Sequence, residues 1–379
     1  MAPLEPWEKV LIDEEAFLDT VHGKISCMDC HQGQQSADKE TAHAELIPYP
    51  SDDPQTFCGD CHPNLVDSAE NSLHSSLDGY WTVLEERGVP ENHPPAEEMF
   101  GNHCAGCHAS CGDCHVSRPS SVDGGFIDGH VFNAEPSMVN NCTACHGSRV
   151  GNEYMGKHED LKADVHFRQG RMTCVDCHTG HEMHGTPSNC QECHEGPETS
   201  QIAPPEHRYD GLQSPSCESC HASVAAGNDG NFMHDKHSGT LSCQVCHSVS
   251  YTSCDGCHVS ISDETGNPVF ETEGSYLGFY IGKNPDQSYA RPYEYVPVRH
   301  VPISRTSFDY YEPGLVSDFN GRETWVYATP HNIQRFTPQM ESCTNCHGNP
   351  DIFLTADKVA PDELEANREV IVDVIPSLP

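Results

Sequence analysis

Residues 104–117 read CAGCHASCGDCHVS, two copies of C-x-x-C-H separated by two residues. Working outward from this doublet, the same pattern recurs nine more times: CMDCH at 27–31, CGDCH at 58–62, CTACH at 142–146, CVDCH at 174–178, CQECH at 190–194, CESCH at 217–221, CQVCH at 243–247, CDGCH at 254–258 and CTNCH at 343–347. The cysteine pairs are Cys27 and Cys30, Cys58 and Cys61, Cys104 and Cys107, Cys111 and Cys114, Cys142 and Cys145, Cys174 and Cys177, Cys190 and Cys193, Cys217 and Cys220, Cys243 and Cys246, Cys254 and Cys257, and Cys343 and Cys346. The eleven copies use all 22 cysteines and leave none over.

The rest of the chain shows why such a motif would decide the fold. Apolar residues make up 36% of its 379 residues, and 58 acidic side chains against 20 basic ones give a formal charge of −38. A polypeptide of that composition repels itself and leans towards disorder, so something besides side chains must fill its interior. C-x-x-C-H is the attachment signature of c-type haem. Two thiols form thioethers with the porphyrin, and the next residue, His, is placed under the ring to coordinate iron. Zinc in Cys₄ sites or a disulfide scaffold would also use paired cysteines. Neither explains a histidine after every second cysteine, and an odd number of pairs would leave one zinc half-site unmatched. Eleven covalent haems are therefore expected, with the motif histidines His31, His62, His108, His115, His146, His178, His194, His221, His247, His258 and His347 as proximal ligands.

At the level of these motifs, residues 22–347 resemble the multihaem cytochromes c, haem-dense electron-transfer proteins of bacteria and archaea. The resemblance implies haem attachment outside the cytoplasm, hence an exported protein in the periplasm or at the cell surface. The start, MAPLEPWEKVLIDEE, is acidic where a secretory leader would be basic and then apolar, so an exported chain is expected to be a processed form.

Of 26 histidines, fifteen lie outside the motifs, and bis-histidine ligation needs eleven of them. HGKISCMDCH at 22–31, HFRQGRMTCVDCH at 166–178 and HSGTLSCQVCH at 237–247 share one outline and nominate His22, His166 and His237. A second repeat, H-x₁₁-C-T-x-C-H-G, nominates His130 and His331. His43 and His207 are each alone between two motifs. His74 lies on an expected helix whose stripe is Leu73, Leu77, Tyr80 and Leu84, stopped at Gly88. His103 directly precedes Cys104, so as a ligand it must serve another haem. His184 of HEMH and His300 of YVPVRHVPI complete the set, leaving His93, His158, His181 and His234 as spares. None of the nine methionines shows comparable placement.

The expected fold is mostly irregular and α-helical with little β-structure, a multihaem cytochrome c wrapped around a continuous haem stack. Its expected segments are 1–88 with haems one and two, 89–150 with haems three to five, 151–262 with haems six to ten, a Tyr-rich haem-poor stretch at 263–342, and 343–379 with the last haem. Helices are expected from about 14 to 22, capped by Asp13 and stopped at Gly23, and after Pro361 in PDELEANREVIV. EYVPVRH and TWVYATPH alternate as short strands, which their prolines would confine to edges. The aromatic stretch, with Tyr276, Tyr280, Tyr289, Tyr293, Tyr295, Tyr310, Tyr311, Trp325 and Tyr327, reads as a flap over nearby haems or as a docking surface for another subunit.

The function expected is electron conduction to or at the cell exterior. Its partners would be other redox proteins or extracellular electron acceptors, and copies of the chain joined end to end would make a filament. The alternative is an oxidoreductase of a small nitrogen or sulfur compound with one open-coordination haem; the chain departs from the nitrite-reductase pattern because no motif ends in Lys. Nucleic acid is excluded as a partner by the acidity, and no run of 18 apolar residues exists to span a membrane.

Overall fold

The computed structural model describes residues 5, 8–10, 12, 14–158, 160–185, 201, 202, 213, 214, 216–225, 227–249, 252–277, 279–285, 287 and 292–378. Motif seven, with Cys190, Cys193 and His194, lies outside them, as do His207, Tyr289 and the expected cap Asp13. The chain divides into two compact units. The first comprises Met1–Leu77, Gly106–Gly147 and Thr173–Gly196; the second comprises Asp78–Ala105, Ser148–Met172 and Pro197–Pro379.

The local structure of the motifs follows from the residue before the first cysteine. Ser26 accepts a hydrogen bond from the Met28 N–H and starts the one-turn helix Cys27–His31. Ser110 opens Cys111–His115, and the Asp113 carboxylate accepts from the Ser110 N–H at 3.0 Å. Thr173 and Asp176 repeat this arrangement at 2.6 Å. Ser216 and Ser342 accept from Glu218 and Thr344. These are N-caps, and after Ser110 and Thr173 an acidic residue three positions on completes the box. A single helical turn brings two cysteines three apart onto one side and stands the histidine one turn above the first.

The first unit holds such turns and short helices, among them Glu14–Leu18, Pro63–Ala69 and Leu73–Ser76. Its described residues form no strand. Two expected helices are shorter than the sequence pattern suggests. The helix from 14 ends at Leu18, and a separate 3₁₀ turn spans His22–Lys24. The stripe from Leu73 to Leu84 is broken at Leu77, whose φ of 57° is left-handed; a second helix, Asp78–Glu85, starts beyond it in the other unit.

The second unit carries the sheet. Tyr280–Lys283, Tyr295–His300 and Trp325–Tyr327 form three antiparallel strands, with Gly282 opposite Val296 and Val298 opposite Tyr327. A Cβ on Gly282 would meet Val298 at 2.8 Å and Val370 at 3.0 Å, so the close approach requires glycine. The strand with Pro297 is central rather than an edge. The third strand ends at Tyr327, opposite Val298, and Pro297 meets the chain beyond it only as an acceptor, from Ala328 N–H at 2.8 Å, so its missing donor interrupts no ladder. Val296 and Val298 face Trp325, Leu354, Val359, Val370 and Ile371 in one apolar cluster. Ile281, Val245, Phe353 and Val372 form another, and Leu84, Val89, Ala96, Met99, Phe308 and Val316 are part of a third.

Residues 361–370 are a run of turns, not the helix expected there. Bonds to the residue three back, such as Arg368 N–H to Glu365 O, interrupt the four-back pattern. Asn367 is instead committed to the sheet, accepting from the Thr324 and Trp325 N–H groups at 3.1 and 2.8 Å. No helix of the described residues is long and apolar enough to cross a membrane.

Candidate functional site

Seven motif histidines stand opposite a histidine from outside the motifs, most of the ring pairs tilted or edge-on. In the first unit the pairs are His62 with His22, His31 with His130, His146 with His74, and His115 with His184, with ring centres 6.2, 5.9, 6.2 and 6.0 Å apart. In the second they are His221 with His166, His247 with His234, and His347 with His237, at 6.1, 6.1 and 6.2 Å. These rings are too far apart for stacking contact. A metal midway, bonded to a nitrogen of each imidazole at about 2 Å, would hold the two ring centres about 6 Å apart.

The hydrogen bonds assign the rings. A carbonyl oxygen only accepts, so a ring nitrogen on it carries the proton, and the other nitrogen presents its lone pair. His31 Nδ1 donates to Ile47 O at 2.8 Å, His115 to Asn133 O at 2.6 Å, His247 to Gln334 O at 3.1 Å and His347 to Ser377 O at 2.7 Å. Among the facing rings, His184 donates to Gly180 O at 2.7 Å and His237 to Met233 O at 2.9 Å. His166 and His234 use Nδ1 on Asp164 and Asp229. Such partners fix the tautomer and orient a metal ligand. Burial, reinforced by the facing imidazole, lowers the pKa of His22, His74 and His130, and burial does the same for His184 and His247. That favours the neutral form ligation requires.

The other candidates divide by which nitrogen is engaged. His43 Nδ1 donates to Lys39 O at 2.7 Å and His331 Nδ1 to Thr329 O at 2.8 Å. Both thus resemble the paired rings. His158 has its Nε2 buried with no hydrogen-bond partner. In contrast, His103 Nε2 lies 2.8 Å from the Tyr311 hydroxyl, His300 Nε2 3.0 Å from Glu363 and His93 Nε2 2.9 Å from Glu312. In each of these the Nε2 is engaged.

The repeats in the sequence single out His22, His166 and His237, yet none of the three faces the motif that follows it. Each faces a later one. Sequence reasoning also left His234 as a spare. The signal for it is local: Asn231 caps the helix Phe232–His237, which places two histidines three apart on neighbouring positions of one turn.

The twenty described cysteines form no disulfide. Burial pushes the thiols of Cys58, Cys114 and Cys246 up to about 11, which makes them poor nucleophiles and poor thiolate ligands as they stand. No group of three or more His, Cys, Asp or Glu among the described residues could hold a metal ion. A metal between the paired imidazoles would thus need its remaining donors from a non-protein ligand. A porphyrin supplies four, and the cysteines beside each pair are the groups that anchor one, so the residues present fit haem c. Large apolar side chains left open in the first unit, including Val21 at 82% exposure, Tyr49 at 68% and Val139 at 59%, offer surface for such a ring to cover.

Motif ten differs. Cys254 and His258 sit on strands, Thr252–Asp255 and His258–Ile261, not on a helical turn. His258 Nε2 lies 3.8 Å from the Glu271 carboxylate and Nδ1 4.0 Å from that of Glu273. Comparison of the chain with known protein families, curated proteins and solved structures finds no match.

Proposed function

We propose that the chain is an electron-transfer multihaem c-type cytochrome. It would bear eleven covalently attached haems and act as a conduit between other redox proteins or extracellular acceptors at or beyond the cell exterior. The observation that carries this reading is the common gap of 5.9–6.2 Å between seven motif imidazoles and seven others, beside cysteines spaced for thioether attachment.

Haem bound at these residues would supply a one-electron ferric/ferrous couple, the electron coming from an external donor and passing to an external acceptor. The chain's residues do the rest. The cysteines would attach the ring, the motif histidine and its opposite number would hold the iron between them, and the carbonyls on Nδ1 of His31, His115, His184, His237, His247 and His347 hold those imidazoles in one tautomer. An iron held by two imidazoles would suit transfer without bond chemistry. The distal set this reading favours is His22, His43, His74, His130, His158, His166, His184, His234, His237 and His331, with His207 as the eleventh. His158 and His234 take the places expected of His103 and His300.

Motif ten supports the second reading, an oxidoreductase with one open haem, because carboxylates rather than an imidazole flank His258. Two measurements on the purified, exported protein decide. Intact mass should exceed the polypeptide by eleven haems, and a bare-polypeptide mass would end the proposal. A wholly low-spin ferric EPR spectrum supports the conduit, whereas a high-spin signal from one centre in eleven would favour the enzyme.

A further inference from the structure

The haem reading fixes sites but not their order, and within the first unit their order in space departs from their order in sequence. Motifs one and two adjoin. His22, just before motif one, faces His62 of motif two, and the ring of Phe132 stacks on His22 at 4.1 Å while standing edge-on to His130 at 5.8 Å. His130 in turn faces His31 of motif one.

Motif two is joined next to motif four. Ser51 and Ser110 hydroxyls meet at 2.9 Å, and a Cβ on Gly112 would lie 2.5 Å from Ser51 Oγ, so the turn before motif two is seated on the motif-four helix. The thiols of Cys58 and Cys111 fall within electrostatic range of each other. Motif four is tied to motif five by the buried Asn141, whose amide donates to Asp113 O at 2.6 Å and Ser117 O at 2.9 Å. Motif five meets motif six where the segment Met138–Cys142 packs on the turn Cys174–Asp176, which brings the Cys142 and Cys174 thiols together.

Motif three takes a different place. The Cys107 thiol hydrogen-bonds to that of Cys145 in motif five. Ala109 N–H, beside His108, donates at 3.0 Å to the carbonyl of His74, whose ring faces His146 of the same motif.

We infer that the attachment sites of this unit run one, two, four, five, six, with the Cys107–His108 half of site three, the part that lies in this unit, joined at site five as a branch. Resting on the haem reading above, this makes site five a three-way junction. Haems attached there would follow the packing of their attachment sites rather than their order in the sequence.

Electron cryo-microscopy of the purified haem-loaded protein tests the order through its iron–iron distances. The expected result is that iron five has irons three, four and six as near neighbours, and iron two has irons one and four. Iron three lying between irons two and four, or remote from iron five, would overturn the order while leaving the haems in place. A map with no porphyrin density at the motifs would instead overturn the reading on which the order rests.

Discussion

The two units build their interiors differently. The first has Val66, Leu77, Val116 and Pro119 as its buried apolar residues among those described, and none belongs to an apolar cluster. The second has three clusters, with Val298, Leu354 and Val370 fully buried. Both carry C-x-x-C-H motifs, yet the three-stranded sheet and most of the clustered residues lie between Tyr280 and Val372, where only one motif falls. Where motifs are dense, side chains cannot supply a core of their own. Where they are sparse, the chain reverts to ordinary packing of strands and apolar residues.

The sharpest way to break this comparison is to make the chain without haem attachment. Hydrogen exchange should then be unprotected across residues 22–77 and 106–147, while the strands 280–283, 295–300 and 325–327 keep slow amides. Equal protection in both regions would show that the first unit has an interior independent of cofactor. A smaller effect comes from Leu354→Ala, which opens a cavity in the second unit. It should cost about 2–5 kcal/mol in thermal or denaturant unfolding of that unit with all eleven haems retained.

Replacing Arg87 by Met should cost about 1–3 kcal/mol, because its guanidinium donates to Phe319 O at 2.6 Å and Glu323 O at 2.7 Å and both acceptors would lose their donor. The ligand assignments are sharpened spectroscopically. His234→Ala should convert one low-spin centre to high spin, whereas His300→Ala should leave the spectrum unchanged and only loosen the contact with Glu363. The reverse result would restore His300 as a ligand. Least of all, Ser26→Ala should lower stability by about 1 kcal/mol through loss of the cap on the motif-one helix, read as a small fall in melting temperature.

Much of this was legible beforehand, for identifiable reasons. C-x-x-C-H is local, so its eleven positions are read directly, and the Ser or Thr before five of the described motifs reports the cap that shapes the turn. Val296, Val298 and Trp325 were placed on strands by alternation. Pairings between distant histidines were not legible, because they depend on where the chain returns after tens of residues. Which nitrogen is engaged decides between His234 and His300, and nothing in the neighbouring letters encodes Glu363 lying against the latter. Leu77 fits a helical stripe perfectly well, and only its left-handed backbone divides that stripe between two units. The turns at 361–370 arise because Asn367 is drawn to Thr324 and Trp325, a tertiary demand that overrides local helical preference.

The helix Phe232–His237 aims His234 at motif nine and His237 at motif eleven from successive sides of a single coil of backbone. The two motifs, a hundred residues apart in the chain, therefore share one mechanical support. Fraying of those six residues, or a proline at Asp235, would loosen both pairings together, so under the proposed haem reading the loss of both sites on heating should register as one event of double amplitude.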